Sequence, residues 1–124
     1  MTISIIGLKC LSQNTRELAQ KGEGFAYNLS NDLLSAWKKD KNGCLGLRCR
    51  YIDSITKNKA IIGLPQKQFL KLFGKPNSNN TNCYTYNLCS ECDVNKKILR
   101  GSDRSWLVFC FSHGRLEKCT MQIQ

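Results

Sequence analysis

The sequence predicts an α+β fold, with helices packed on one face of a three-stranded antiparallel β-meander. Three observations carry this. Apolar residues recur at helical spacing up to residue 76. After the polar run Asn77-Ser78-Asn79-Asn80-Thr81-Asn82 the period changes to strand-like alternation. A short turn, Ser112-His113-Gly114-Arg115, then separates two apolar stretches as in a hairpin. Residues 30–124 are expected to form a single domain, preceded by a polar lead-in over 13–29.

The run Thr2-Ile3-Ser4-Ile5-Ile6-Gly7-Leu8, ending near Cys10 and Ser12, looks like the back half of a secretory signal peptide. Residues 1–12 are therefore read as a signal remnant, with the mature chain beginning at Gln13. The alternative is an N-terminal strand. Lys9 stands where lipidation of Cys10 would require a small residue, so a lipid anchor is not expected.

Ser30 or Asn31 can cap a helix that carries Leu33, Leu34 and Trp37 on one face, ended by a turn at Lys41-Asn42-Gly43. Residues 50–59 read as a second helix with Tyr51, Ile52 and Ile55 inward. The clearest helix follows. Pro65 suits its start, and Gly74 and Pro76 its end. Phe69, Leu70 and Phe73 are expected on its buried face, and Lys67, Lys71 and Lys75 on the other. Residues 77–82 are expected to be a loop. Tyr84 to Leu88 then alternate as a half-buried strand, residues 90–104 form a long connection, Trp106 to Phe111 a strand apolar on both faces, and Leu116 to Ile123 the returning strand.

With His113-Gly114 as a two-residue loop, Phe111 faces Leu116, Val108 faces Cys119 and Trp106 faces Met121. One sheet face then carries Leu107, Phe109, Phe111 and Leu116. The other carries Trp106, Val108, Cys110, Cys119 and Met121. Short helices cover only one face. The second is either covered by the N-terminal segment and the 90–104 connection or is a partner surface, and Trp106, Val108 and Met121 are its candidate residues. In this register Cys110 and Cys119 are diagonal, about 7–8 Å apart, too far for a disulfide.

The formal charge is +10, spread along the chain. It implies a soluble surface with a basic bias, or a surface suited to an anionic envelope. Nucleic acid ranks last, because neither C2H2 spacing nor an RNA-binding sheet motif is present. No apolar run approaches the roughly 20 residues of a membrane span.

Eight cysteines in a chain of 124 residues point to an exported, disulfide-bonded protein or to a metal site. The candidate bridges join Cys89 or Cys92 to Cys44 or Cys49. A zinc site would use the same four thiolates. Redox catalysis by Cys89-Ser90-Glu91-Cys92 would need a helix start that lowers the thiol pKa, whereas Glu91 and Asp93 act to raise it. His113, the only histidine, lies in a turn rather than beside a nucleophile. There is no phosphate-binding glycine loop and no G-x-S-x-G, and the nine carboxylates are scattered. No catalytic residue, metal or cofactor is nominated.

Gly63-Leu64-Pro65 leading into Phe69-Leu70-Lys71-Leu72-Phe73-Gly74-Lys75-Pro76 resembles the "G-M-T/S … L-L-G-x-P" element of the SmpA/OmlA, or BamE-like, envelope proteins. Tyr84-Thr85-Tyr86 looks like that family's aromatic first strand. Leu107 to Leu116 looks like its "L-x-V-x-F-x-x-G-x-V" hairpin. The resemblance covers about residues 60–122. It implies a BamE-like or BLIP-like fold of two helices on a three-stranded sheet, and a periplasmic or secreted, non-enzymatic protein with a protein partner. One expected role is an envelope accessory protein related to outer-membrane assembly factors. The alternative is an inhibitor or immunity-type binder of a secreted enzyme, since such inhibitors bind with the sheet face.

Overall fold

A computed structural model describes residues 23–124. The expected signal remnant over residues 1–12, Cys10 and most of the lead-in lie outside the described residues. The described chain is α+β: four helices on one face of a four-stranded antiparallel sheet.

A turn of 3-10 helix, Phe25–Tyr27, precedes α1 (Asn31–Lys39). Ser30 caps α1 by accepting from the Leu33 N–H at 3.1 Å, and Leu33, Leu34 and Trp37 are its buried residues. The expected helix over 50–59 is instead two short helices, α2 (Leu47–Arg50) and α3 (Ile52–Thr56). The break falls at Tyr51, whose backbone leaves helical geometry. It lets Arg48 and Cys49 point to the sheet end while Ile55, fully buried, points to the core. A second 3-10 turn, Lys59–Ile61, is capped by Asn58, whose amide also donates to the Tyr27 carbonyl at 2.8 Å. The N-terminal turn is thereby tied to the body, and the neighbouring Leu29 is buried.

Helix α4 (Gln66–Phe73) begins one residue after Pro65, which is its cap rather than its first turn. Its buried residues are Phe69, Leu72 and Phe73. Leu70, expected inward, is 36% exposed: Leu70 and Leu72 flank the Phe69–Phe73 stripe at about 80° on either side, and the sheet beneath α4 covers the Leu72 side. Gly74 ends the helix with φ 80 and ψ −176. This is not the left-handed cap common at helix ends, but it is still a conformation that only glycine takes readily.

The sheet order is β1-β2-β3-β4: Ser78–Asn79, Cys83–Ser90, Arg104–Ser112 and Arg115–Ile123. The first strand corrects the expected loop over 77–82 and the three-strand count. Asn80 makes it possible, since its side-chain oxygen accepts from the N–H groups of Asn82 and Cys83 and closes the turn back into β2.

The β3–β4 hairpin turns at His113 and Gly114, with positive φ at both (54 and 74). Its register differs from the expected one. Phe111 faces Leu116, but Cys110 faces Lys118, so Glu117 is an extra residue on β4. A one-residue insertion turns every later side chain to the opposite face. Cys119 therefore faces Phe109, and Met121 faces Leu107 rather than Trp106.

The core lies between the helices and the Tyr84, Tyr86, Leu107, Phe109 face. Phe69 stacks on Phe73 at 4.4 Å and meets Phe109 at 4.7 Å and Phe111 at 5.2 Å, while Trp37 packs edge-on against Phe73 at 5.7 Å.

Candidate functional site

Four cysteines gather where α2 meets the end of β2. Cys49 is bonded to Cys89, and Cys44 to Cys92, with Cα separations of 5.3 and 5.6 Å. The thiolates that a zinc site would have used are therefore paired in two nested bridges, the inner one within the outer along the chain. Among the described residues no group of three or more His, Cys, Asp or Glu stands together to hold a metal ion. A third bridge, Cys83–Cys110, joins directly opposed residues of β2 and β3. Sequence reasoning missed it because the opposition depends on the β2–β3 register, which no turn signal fixes across the thirteen-residue connection from Glu91 to Asp103. Cys110 is thus bonded, though not to Cys119. Cys119 is unpaired and half-buried on the core side of β4, where burial pushes its thiol up to about 12.

Beside the nested bridges lies a buried polar centre that the charge pattern concealed. Arg48 is 2% exposed, as is Asp40. The Asp40 carboxylate accepts from the backbone N–H groups of Leu45, Leu47 and Arg48 at 2.9, 2.9 and 3.2 Å, so it holds the start of α2 as a cap does. The Arg48 guanidinium donates to the Trp37 carbonyl at 2.7 Å, the Lys41 carbonyl at 3.2 Å, the Asn77 side chain at 2.9 Å and the Asn87 carbonyl at 3.0 Å. It also lies 4.9 Å from the Trp37 ring centroid and 5.4 Å from that of Tyr86. Desolvation lowers its pKa to about 10, and the nearby Asp40 charge acts in the opposite sense. Burial likewise raises the Tyr86 phenol, whose hydroxyl donates to the Gly74 carbonyl at 2.7 Å. The Nε and Nη1 donors of Arg48 are spent on acceptors of the fold itself, so the chemistry of this centre is that of a structural joint.

The surface that remains available is the outer sheet face. The register places Thr85, Val108 and Thr120 in one row across β2, β3 and β4, and Asn87, Trp106 and Gln122 in the next. Trp106 is half-buried and Val108 buried. The Arg104 guanidinium covers the indole at 5.0 Å and donates to the Asn87 side chain at 3.0 Å. The result is an aromatic platform held in place by a cation and framed by threonine, asparagine and glutamine. Of the three residues expected to share this face, Trp106 and Val108 do. Met121 lies on the opposite face at the β4 edge, 44% exposed.

The lysines of α4 stand clear of the core: Lys67 and Lys71 are exposed, as are Lys75 and Lys38. The Lys38 stem passes close to Gly74, which brings α1 and α4 cations to one side of the helical layer. At the hairpin tip His113 Nδ1 lies 3.0 Å from the Ser112 hydroxyl, and both atoms are exposed. No carboxylate is hydrogen-bonded to this imidazole among the described residues, so the pair lacks the orienting third group of a triad. No helix of the described chain is long and apolar enough to cross a membrane.

No protein-family model matches this chain, and neither the curated proteins nor the solved structures provide a match.

Proposed function

We propose that this chain is an exported, non-enzymatic binding protein of the cell envelope, acting beside outer-membrane assembly components through the sheet face around Trp106 and Val108. The observation that supports the export half of this reading is the set of three disulfides among the described residues, since such bridges persist in oxidising compartments. The binding half is supported by the arginine-held Trp106 on an otherwise polar sheet face, since tryptophan and arginine are the residue types that concentrate binding energy at protein interfaces. The resemblance of residues 60–122 to the SmpA/OmlA sequence pattern supplies the envelope role. The lysines of α1 and α4 suit association with an anionic envelope surface on the opposite side of the molecule.

The sheet face favours a second reading, an inhibitor or immunity-type binder of a secreted enzyme. One experiment separates the two. Tagged protein is used to retain partners from an envelope extract, in parallel with a Trp106→Ala variant. Barrel-assembly components retained by the parent and lost by the variant support the first reading. A single soluble hydrolase supports the second. Equal retention by parent and variant would remove the Trp106 face from either. Thiol labelling without reduction checks export separately, because ready labelling at the six bridged cysteines would exclude an oxidising location.

A further inference from the structure

Two turns far apart in the chain meet beside the Cys44–Cys92 bridge. One is Lys41-Asn42-Gly43, which follows α1. The other runs from Asp93 to Lys97 and is closed by the Asp93 side chain, whose Oδ1 accepts from the N–H groups of Asn95 and Lys97 at 2.8 and 3.0 Å. Lys96 takes a left-handed backbone there, with φ 62, which is uncommon for a residue other than glycine. The Cys44 sulfur lies 3.3 Å from the Lys96 carbonyl oxygen, across 52 residues of sequence. Between the two turns opens a recess of about 130 Å³ whose lining includes Lys39, Asp40, Lys41, Asn42, Cys44 and Lys96.

The contacts around this recess leave it suited to an anion. Lys39, Lys41 and Lys96 are exposed, and none of their ammonium groups has an ion pair or hydrogen bond among the described residues. The one carboxylate in the lining, Asp40, is already taken, since its two oxygens accept from the backbone N–H groups of Leu45, Leu47 and Arg48. The carbonyl end of α1 would repel an anion, but Arg48 donates to the Trp37 and Lys41 carbonyls from inside the fold. The backbone N–H groups of Lys41, Asn42 and Cys44 have no acceptor among the described residues, and neighbouring free N–H groups in a turn form an anion-binding concavity. Size narrows the choice. The volume equals that of about four waters, room for one tetrahedral oxyanion, while whatever carries the oxyanion stays outside.

We propose that this recess binds a phosphate group, held by the ammonium groups of Lys39, Lys41 and Lys96 and by the free N–H groups of the Lys41 to Cys44 turn. The Cys44–Cys92 bridge fastens the two lysine-bearing turns to each other, so the site is set before the anion arrives. The phosphate belongs either to the headgroup of an anionic lipid or to a free phosphate ester, and the experiment separates these sources. The site goes beyond the envelope reading and depends neither on it nor on the Trp106 platform.

The test titrates isotope-labelled full-length protein with inorganic phosphate at low, constant ionic strength. Amide shifts are expected at residues 41–45 and 93–97. Lys96→Asn keeps a residue that tolerates the left-handed backbone, and with it Lys39→Gln should each weaken binding about threefold, the scale of an exposed ion pair. The triple variant that adds Lys41→Gln should lose about tenfold or more. Lys57→Gln, outside the recess, should leave binding unchanged. In a second arm the protein is sedimented with vesicles of phosphatidylglycerol and phosphatidylcholine. Sedimentation that the triple variant loses assigns the phosphate to a lipid headgroup. Phosphate shifts with no sedimentation, or with sedimentation that the triple variant keeps, assign it to a free phosphate ester. The proposal is overturned if residues 41–45 and 93–97 show no shifts as phosphate is raised through the millimolar range. Shifts spread equally over Lys57 and the other exposed lysines, or phosphate binding that the triple variant retains in full, would overturn it as well.

Discussion

Arg48 shows how far a residue's role can depart from its type. In the sequence it is one of nineteen lysines and arginines, and the ordinary expectation for each is a solvated surface position. In the structure it is buried and gathers the carbonyls of Trp37, Lys41 and Asn87 with the Asn77 side chain. A planar, forked donor set is what such divergent acceptors require, and lysine cannot supply it. Arg48→Ala is expected to destabilise the protein by about 3–5 kcal/mol, because it strands several buried acceptors and removes a positive charge near the buried Asp40. Arg48→Lys should recover only a small part of that loss. Urea titration of the two variants measures both, and full rescue by lysine would show that charge alone, not the fork, matters. Nothing in a single sequence distinguishes this arginine from its exposed neighbours, since its partners lie 7 to 39 residues away along the chain.

Among the elements, α4 is the one most legible from sequence, for its two ends are marked by Pro65 and Gly74 and its aromatics recur at helical spacing. Its existence and position follow from those signals. Its buried face takes in Leu72 rather than Leu70, because the two flank the Phe69–Phe73 stripe equally and only the sheet beneath decides which side is covered. Phe73→Ala is expected to cost about 3–5 kcal/mol, since the ring is wholly buried between Trp37, Phe69 and Phe109. Leu70→Ala should cost less than about 1 kcal/mol, as a partly exposed position loses little burial. Thermal or denaturant unfolding that reversed this order would mean that the helix is rotated from the described packing. The β3–β4 hairpin was likewise legible as an element and not as a register: the turn residues fix where the strands meet, but the extra Glu117 carries no local signature. That single insertion takes Met121 from the expected partner face to the opposite face at the β4 edge. Strand β1 escaped for a different reason. Two residues held by one cross-strand pairing carry no periodicity, and Asn-rich sequence reads as a loop.

At the scale of the whole molecule, the nested bridges fasten α2 and the segment before it to the far end of β2. Cys44–Cys92 and Cys49–Cys89 span 48 and 40 residues, and opening either is expected to lower stability by about 2–4 kcal/mol. The paired substitutions Cys44→Ala with Cys92→Ala, and Cys49→Ala with Cys89→Ala, measure each bridge by unfolding. Peptide mapping without reduction checks the pairing itself, and recovery of Cys44 linked to Cys89 would contradict the described arrangement. The sequence by itself determined the class of this protein: periodicity set helices before strands, turn residues set the hairpin, and cysteine number set a bridged framework, because each of these is a local or compositional property. Only the tertiary structure decided which cysteines pair, that Arg48 lies inside, and which face Met121 occupies. Those outcomes depend on register and on contacts between distant segments, where a one-residue shift costs nothing in local propensity and changes everything that faces across the sheet.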